Sequence, residues 1–188
     1  MRLSRLADDI LPRLDVPIRR LGPADRSALI EFHRRQSPAD RSAQFGHPLS
    51  DDRLALFVHR LNFEADGHFA ALGAASLIIG VAHCTAFDGQ AILSAQVVSG
   101  YRRRGVGSAL VREAMAYGHL RALAWTRAYF RKSDPIAAAL ARGRGMRLHV
   151  GLDRFHAERR FEAPAPQGGG RSPDGDRSAA ATEVVVAG

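Results

Sequence analysis

Apolar and polar positions change period several times along this chain, and each change marks an element. Val16 to Leu21 alternates apolar with polar residues, which predicts a first strand. After Pro23-Ala24-Asp25, the residues Ala28, Leu29, Phe32 and His33 fall on one helical face. Ser50-Asp51-Asp52 offers an N-cap, and beyond it Leu54, Phe57, Val58 and Leu61 recur three and four residues apart, a second helix. Two strands follow, His68 to Leu72 and Leu77 to Phe87, with Gly73-Ala74-Ala75-Ser76 as their turn. Asp88-Gly89-Gln90 is a further turn, and Ala91 to Val98 a strand apolar enough to lie centrally in its sheet.

The second half of the chain continues the alternation. Leu110, Val111, Ala114, Met115 and Gly118 mark an amphipathic helix over 109–120. Leu123 to Phe130 is a strand. Asp134-Pro135 places an N-cap and a first-turn proline before a helix through Ile136, Ala139 and Leu140. Met146 to Val150 and Arg154 to Phe161 close the pattern as strands. The order βααβββαβαββ predicts an α/β sandwich, a sheet flanked by helices.

Composition narrows the class. The chain has 188 residues, 46% of them apolar, which excludes a wholly disordered chain or a collagen-like repeat. Residues 15–162 suit one domain; 1–14 are expected to form a loose arm, and 163–188, rich in Gly, Pro, Ser, Asp and Ala, a disordered tail. A single cysteine, Cys84, rules out an intrachain disulfide and points to a reducing compartment, the cytoplasm. The longest apolar stretch, 69–82, is broken by Gly73, Ser76 and Gly80 and is too short to span a bilayer, so no membrane partner is expected. The net charge is +8, with Lys132 the only lysine. The arginines are scattered except at Arg102-Arg103-Arg104, so the charge alone calls for no nucleic-acid partner.

That cluster sits between a strand and a helix, followed by Gly105-Val106-Gly107-Ser108. The first-turn amides of a helix have no intrahelical partners, and the helix dipole adds positive charge there. Glycines let an anion approach those amides, and arginines add bidentate donors. The segment therefore predicts a site for a diphosphate or similar anion. It is not a dinucleotide fingerprint, since Leu110 stands at the third glycine position and no acid lies between Arg121 and Arg131. It is not a P-loop, since it has no lysine. Zinc-type H-E-x-x-H, paired cysteines and G-x-S-x-G are absent, and no metal is expected.

Arg102-Arg103-Arg104-Gly105-Val106-Gly107 fits [Arg/Gln]-x-x-Gly-x-[Gly/Ala]. Here the sequence resembles the GNAT superfamily, the acyl-CoA-dependent N-acetyltransferases. The resemblance covers about residues 16–161, because the element order matches as well as the loop, and Gly145-Met146 stands where relatives often carry Gly-Phe. It implies a central mixed sheet flanked by helices and the transfer of an acetyl group from acetyl-CoA to an amine. It further implies that strand 91–98 splays from strand 123–130 and that Val97 and Val98 pair with the pantetheine amides. Arg102, Arg103, Arg104, Gly105, Val106, Gly107 and Ser108 would hold the pyrophosphate. Asp134 replaces a family asparagine and suits either a helix cap or a cofactor contact. A homodimer is left open.

The usual catalytic groups are missing. Strand 91–98 carries no acid, and the position four before Gly145, where many relatives have a tyrosine, is Ala141. His83, on a strand expected to face the cleft, is the candidate catalytic or substrate-contacting group, although a hydrogen-bonded histidine within the sheet is the commoner use of such a position. Cys84 should point to the opposite face. Tyr129 suits a packed aromatic or a group near the thioester. The segment 37–66 should wall the acceptor site, with His47, Asp51, Asp52, Glu64 and Asp66 as either acceptor contacts or a solvated surface. The departures motivate an alternative: a GNAT-fold module that binds acyl-CoA and catalyses little.

Overall fold

The structure is a computed structural model that describes residues 15–161 apart from 48, 132–133 and 152–153. The expected arm 1–14 and tail 163–188 lie outside the described residues.

Seven strands form one sheet in the order β1-β2-β3-β4-β5-β7-β6. They are β1 (Ile18–Arg20), β2 (Gly67–Leu72), β3 (Ile78–Phe87), β4 (Gln90–Val97), β5 (Trp125–Arg131), β6 (Arg147–Val150) and β7 (Arg154–Arg160). Every neighbouring pair is antiparallel except β4 and β5, which run parallel. The helices are α1 (Arg26–Arg34), α2 (Pro38–Phe45), α3 (Asp51–His59), α4 (Val106–Leu120) and α5 (Pro135–Gly143).

The mixed sheet flanked by helices is the architecture that the sequence pattern predicts, with one addition. Helix α2 lies in a stretch where hydrophobic period gives no signal, because its only fully buried side chain is polar, Gln44. Its start is nevertheless written locally: Pro38 opens the helix and the Ser37 hydroxyl accepts the Asp40 amide at 3.1 Å. The β3–β4 hairpin turns on Asp88 and Gly89, both at positive φ (47° and 67°), the signature of a two-residue type I′ turn.

Two apolar clusters fill the two faces. On one face α4 and α5 pack Leu110, Val111, Ala114, Met115, Ala138 and Ala141 against Ala82, Leu93, Ala95, Val97 and Phe130. On the other, α1 and α3 bring Leu29, Phe32 and Val58 to Ala70, Ile78 and Val81. Strand alternation sends Cys84 to the first face and His83 toward the second. Among the described residues no helix is long and apolar enough to cross a membrane.

Candidate functional site

The parallel strands β4 and β5 are paired only from Gln90 with Trp125 to Leu93 with Ala128. Beyond that point β4 stays on β3 through Val97, while β5 stays on β7 through Arg131. The sheet therefore opens in its middle, between the last residues of β4 and the last of β5. Val98 donates its amide to Ile79 at 2.9 Å and accepts the Tyr101 amide at 2.9 Å, so both its backbone groups are engaged within the fold. By antiparallel alternation, the backbone groups turned from β3 toward the opening are those of Ala95 and Val97.

The chain leaves β4 through a short turn over Ser99–Tyr101 and enters α4 at Gly105, whose φ of +86° favours glycine. Arg103 is also at positive φ (58°) and exposed, so the loop is tightly coiled with one arginine outside. No side chain caps α4, and its first intrahelical bond runs from the Ala109 amide to the Gly105 carbonyl. The amides of Val106, Gly107 and Ser108 precede that bond and point out of the helix end. A Cβ on Gly107 would meet only Val97 Cγ2, at 3.5 Å, an ordinary contact. Packing within the chain does not require glycine there; close approach of a ligand to the amides would.

The arginines divide their roles. Arg102 Nε donates to the Val97 carbonyl at 2.8 Å, and its NH2 group donates to Asp40 Oδ1 at 2.7 Å. Ser37 Oγ donates to the other Asp40 oxygen at 2.8 Å. Arg102 thus ties the loop to the start of α2. At the far lip of the opening, Arg131 donates to the Ser42 carbonyl in α2 at 2.6 Å. Helix α2 therefore bridges the ends of the two diverging strands. A further cation comes from a distance: Arg144, just past α5, donates to the Ser108 carbonyl at 2.6 Å and to the Ser108 hydroxyl. Burial and Arg112 lower its pKa, a sign of positive charge gathered at this helix end. No local or periodic signal marks Arg144, which lies 36 residues beyond Ser108 and meets it only in the folded chain.

Below the opening, between α4 and α5, is a cleft lined by apolar side chains, among them Leu93, Val111, Ala128, Phe130 and Leu140. Ala141 lies on that lining. Asp134 accepts the Ala137 amide at 2.8 Å and so caps α5. Tyr101 packs half-buried against the core, and Tyr129 lies beside His156, ring centroids 6.1 Å apart. Of the acids in 37–66, Asp51 pairs with Arg41 at 2.8 Å and Asp66 accepts the Ala86 amide at 3.1 Å. Glu64, Asp52 and His47 are exposed.

His83 departs from the expectation that it faces the cleft. It is 3% exposed, edge-on to Phe57 of α3, and its Nδ1 lies 2.8 Å from Nδ1 of His68. One of the two must donate and the other accept, so the pair holds opposite tautomers. Burial, with His68 and His33 nearby, pushes the His83 pKa well below the usual histidine range. The physical reason is coverage: α1 and α3 close over this face of β3. His33, Gln44, Ser94 and Gln96 join the two histidines as buried polar side chains, and several of their polar atoms have no hydrogen-bond partner.

No protein-family model matches the sequence, and no curated relative does either. Solved structures do match. The GNAT domain of S. lividans PAT shares 18% identity at a TM-score of 0.66, covering 77% of this chain and 89% of that one. A GNAT superfamily phosphinothricin acetyltransferase from Sinorhizobium meliloti, solved in complex with AcCoA, shares 20% at 0.64, covering 79% and 89%. The ribosomal-protein-S18-alanine N-acetyltransferase of Escherichia coli shares 17% at 0.61, covering 79% and 96%. At these identities the likeness establishes the architecture: the chain has the GNAT acetyltransferase fold.

Proposed function

We propose that this protein binds acetyl-CoA in the opening between β4 and β5 and transfers its acetyl group to an amine. The observation that carries the proposal is the parting of two parallel strands directly before an uncapped, glycine-shaped helix start. That geometry supplies what a long ligand with a diphosphate needs: a gap through the sheet, an unpaired strand edge and a nest of amides. The S. meliloti enzyme of the same fold was solved with AcCoA.

In this reading the amides of Val106, Gly107 and Ser108 take the pyrophosphate, with Arg103 and Arg104 adding charge. Arg102 is a positioning residue that holds the loop through Val97 and Asp40. Arg144 sets the Ser108 end of the nest. The backbone groups of Ala95 and the amide of Val97, whose carbonyl accepts Arg102 Nε, pair with the pantetheine arm. Asp134 orders the first turn of α5. Bound acetyl-CoA would supply an activated thioester: the neutral acceptor amine would attack its carbonyl carbon, the C–S bond would break as the amide forms, and CoA would leave as a thiolate that takes its proton from solvent. Strand β4 carries no carboxylate and His83 is covered, so deprotonation of the amine falls to solvent at the mouth under α2.

Gly107→Glu tests the site. It sets bulk and negative charge where the phosphates bind, at a position where a Cβ is tolerated. Acetyl-CoA should raise the Tm of the wild type and leave that of the folded variant unchanged. An equal rise in both would place the ligand elsewhere.

A second reading has its own support: Ala141 offers no acid at the cleft, and β4 offers no base. On that reading the protein is an acyl-CoA-binding module with little turnover. CoA release from acetyl-CoA across a panel of small amines, peptide N-termini and lysines separates the two. Binding without release on any acceptor selects the module.

A further inference from the structure

We propose that His149, His156 and Glu158 form a binding site for one divalent transition metal, Zn²⁺ being the best fit, on the open face of the β6–β7 edge. His149 and His156 are cross-strand partners, and Glu158 lies two residues beyond His156 on the same face of β7. One donor atom from each lies within 4.8 Å of the others. The two imidazoles stack, centroids 4.6 Å apart and planes 7° from parallel, so one ring must turn about its side-chain torsions for both in-plane lone pairs to meet at one ion.

His149 Nε2 is 3.1 Å from Glu158 Oε1 and buried, yet it lacks the alignment of a hydrogen bond. Two donors on one zinc, each about 2.0 to 2.2 Å from the metal, sit about 3 to 3.5 Å apart. The nitrogen–oxygen separation of 3.1 Å fits two ligands sharing an ion, and it is also that of an ion pair if His149 is protonated. Glu158 Oε2 accepts from Arg127 at 3.0 Å, which orients the carboxylate and leaves Oε1 turned to the histidines. Arg127 and the neighbouring Arg147, opposite Glu158 in β6, also set a limit on affinity by repelling a cation.

The donor set selects the ion. Two imidazoles and one carboxylate suit zinc, cobalt, nickel or copper rather than the oxygen-seeking Ca²⁺ and Mg²⁺. Three protein ligands leave room for water or an external ligand. A bound ion would also fasten β6, which pairs with β7 alone, to the rest of the sheet. The site is independent of acyl-CoA binding and shares none of its residues.

The test uses the full chain without any histidine tag. Co²⁺ titration followed by visible d–d absorption should show one equivalent bound, and Zn²⁺ should displace it. His149→Ala removes a side chain that is 43% exposed on the edge strand, so the fold should survive, as circular dichroism would verify. Affinity for Co²⁺ should fall at least about tenfold in that variant and in Glu158→Gln. Absence of a cobalt spectrum in the wild type, or a smaller change in either variant, overturns the proposal.

Discussion

Toward α4 and α5 the middle of the sheet presents Leu93, Ala95, Val97 and Phe130; toward α1 and α3 it presents His68, His83, Ser94 and Gln96. The first face is a dry apolar layer, close enough that a Cβ on Gly118 would lie 2.9 Å from that of Ala91. The second buries polar groups of which many lack partners. The difference teaches how the opening is held. An apolar layer fixes α4, whose first-turn amides have no side-chain cap, relative to β4. The opposite layer leaves several buried polar atoms around the same strand without hydrogen-bond partners, a recurring mark of places where a protein does more than pack.

The comparison can be broken most forcefully by acid. Burial pushes both His33 and His68 down to about 4, and pushes His83 well below the usual histidine range. Their folded pKa values lie below the unfolded 6.5, so the unfolded chain takes up protons first as pH falls. The stability they contribute is complete above about pH 6.5 and is lost as pH falls toward 4. For His33 alone the full loss is on the order of 3 kcal/mol. Urea unfolding at pH 7 and pH 5 should show a steep loss, and His33→Leu should flatten it. A stability that is level from pH 7 to 5 would mean these histidines are hydrated and the two faces are alike.

Leu110→Ala tests the other face. Leu110 is fully buried in α4 against β3 and β4, and the truncation should cost about 2 to 5 kcal/mol in denaturant unfolding. A cost below about 1 kcal/mol would show that the α4 layer can collapse and does not fix the helix.

The smallest effect is the most discriminating. Gln96 is fully buried beside His33, and neither end of its amide meets the full distance and angle requirements of a hydrogen bond. Gln96→Leu should raise stability by about 1 kcal/mol if the layer is dry, because an unpaired amide is replaced by an apolar group of similar size. A loss of stability instead would reveal bridging waters beneath β4 and sharpen the contrast between the faces.

Much of this was legible in the sequence. Caps at Ser50 and Asp134, the Asp88-Gly89 turn and the helical stripe from Leu110 to Gly118 are local or periodic features, and the strands and helices follow them closely. Helix α2 escaped because a period of apolar residues is the main signal for a helix, and α2 buries a glutamine; its local marks are the cap at Ser37 and the first-turn Pro38. The loop at 102–108 was legible because consecutive backbone amides can be aimed by consecutive residues. The roles within it were less so. Arg102 turns inward to Asp40, and Val98 turns its amide to β3, because partners distant in sequence compete for each group.

The sequence by itself determined the element order apart from α2, the arginine- and glycine-rich loop before α4, and the absence of an acid along β4 and of a tyrosine at position 141. Those depend on residue identity and short-range geometry. Only the tertiary structure decided that β4 and β5 part after Leu93 and Ala128, that α2 bridges the opening and that Arg144 reaches Ser108. It also decided that His83 lies under α3 and outside the cleft, and that His149, His156 and Glu158 meet on one face. Each of these is a long-range contact, set by how elements pack once formed. Strand alternation alone tells which face a side chain takes and leaves open what covers that face.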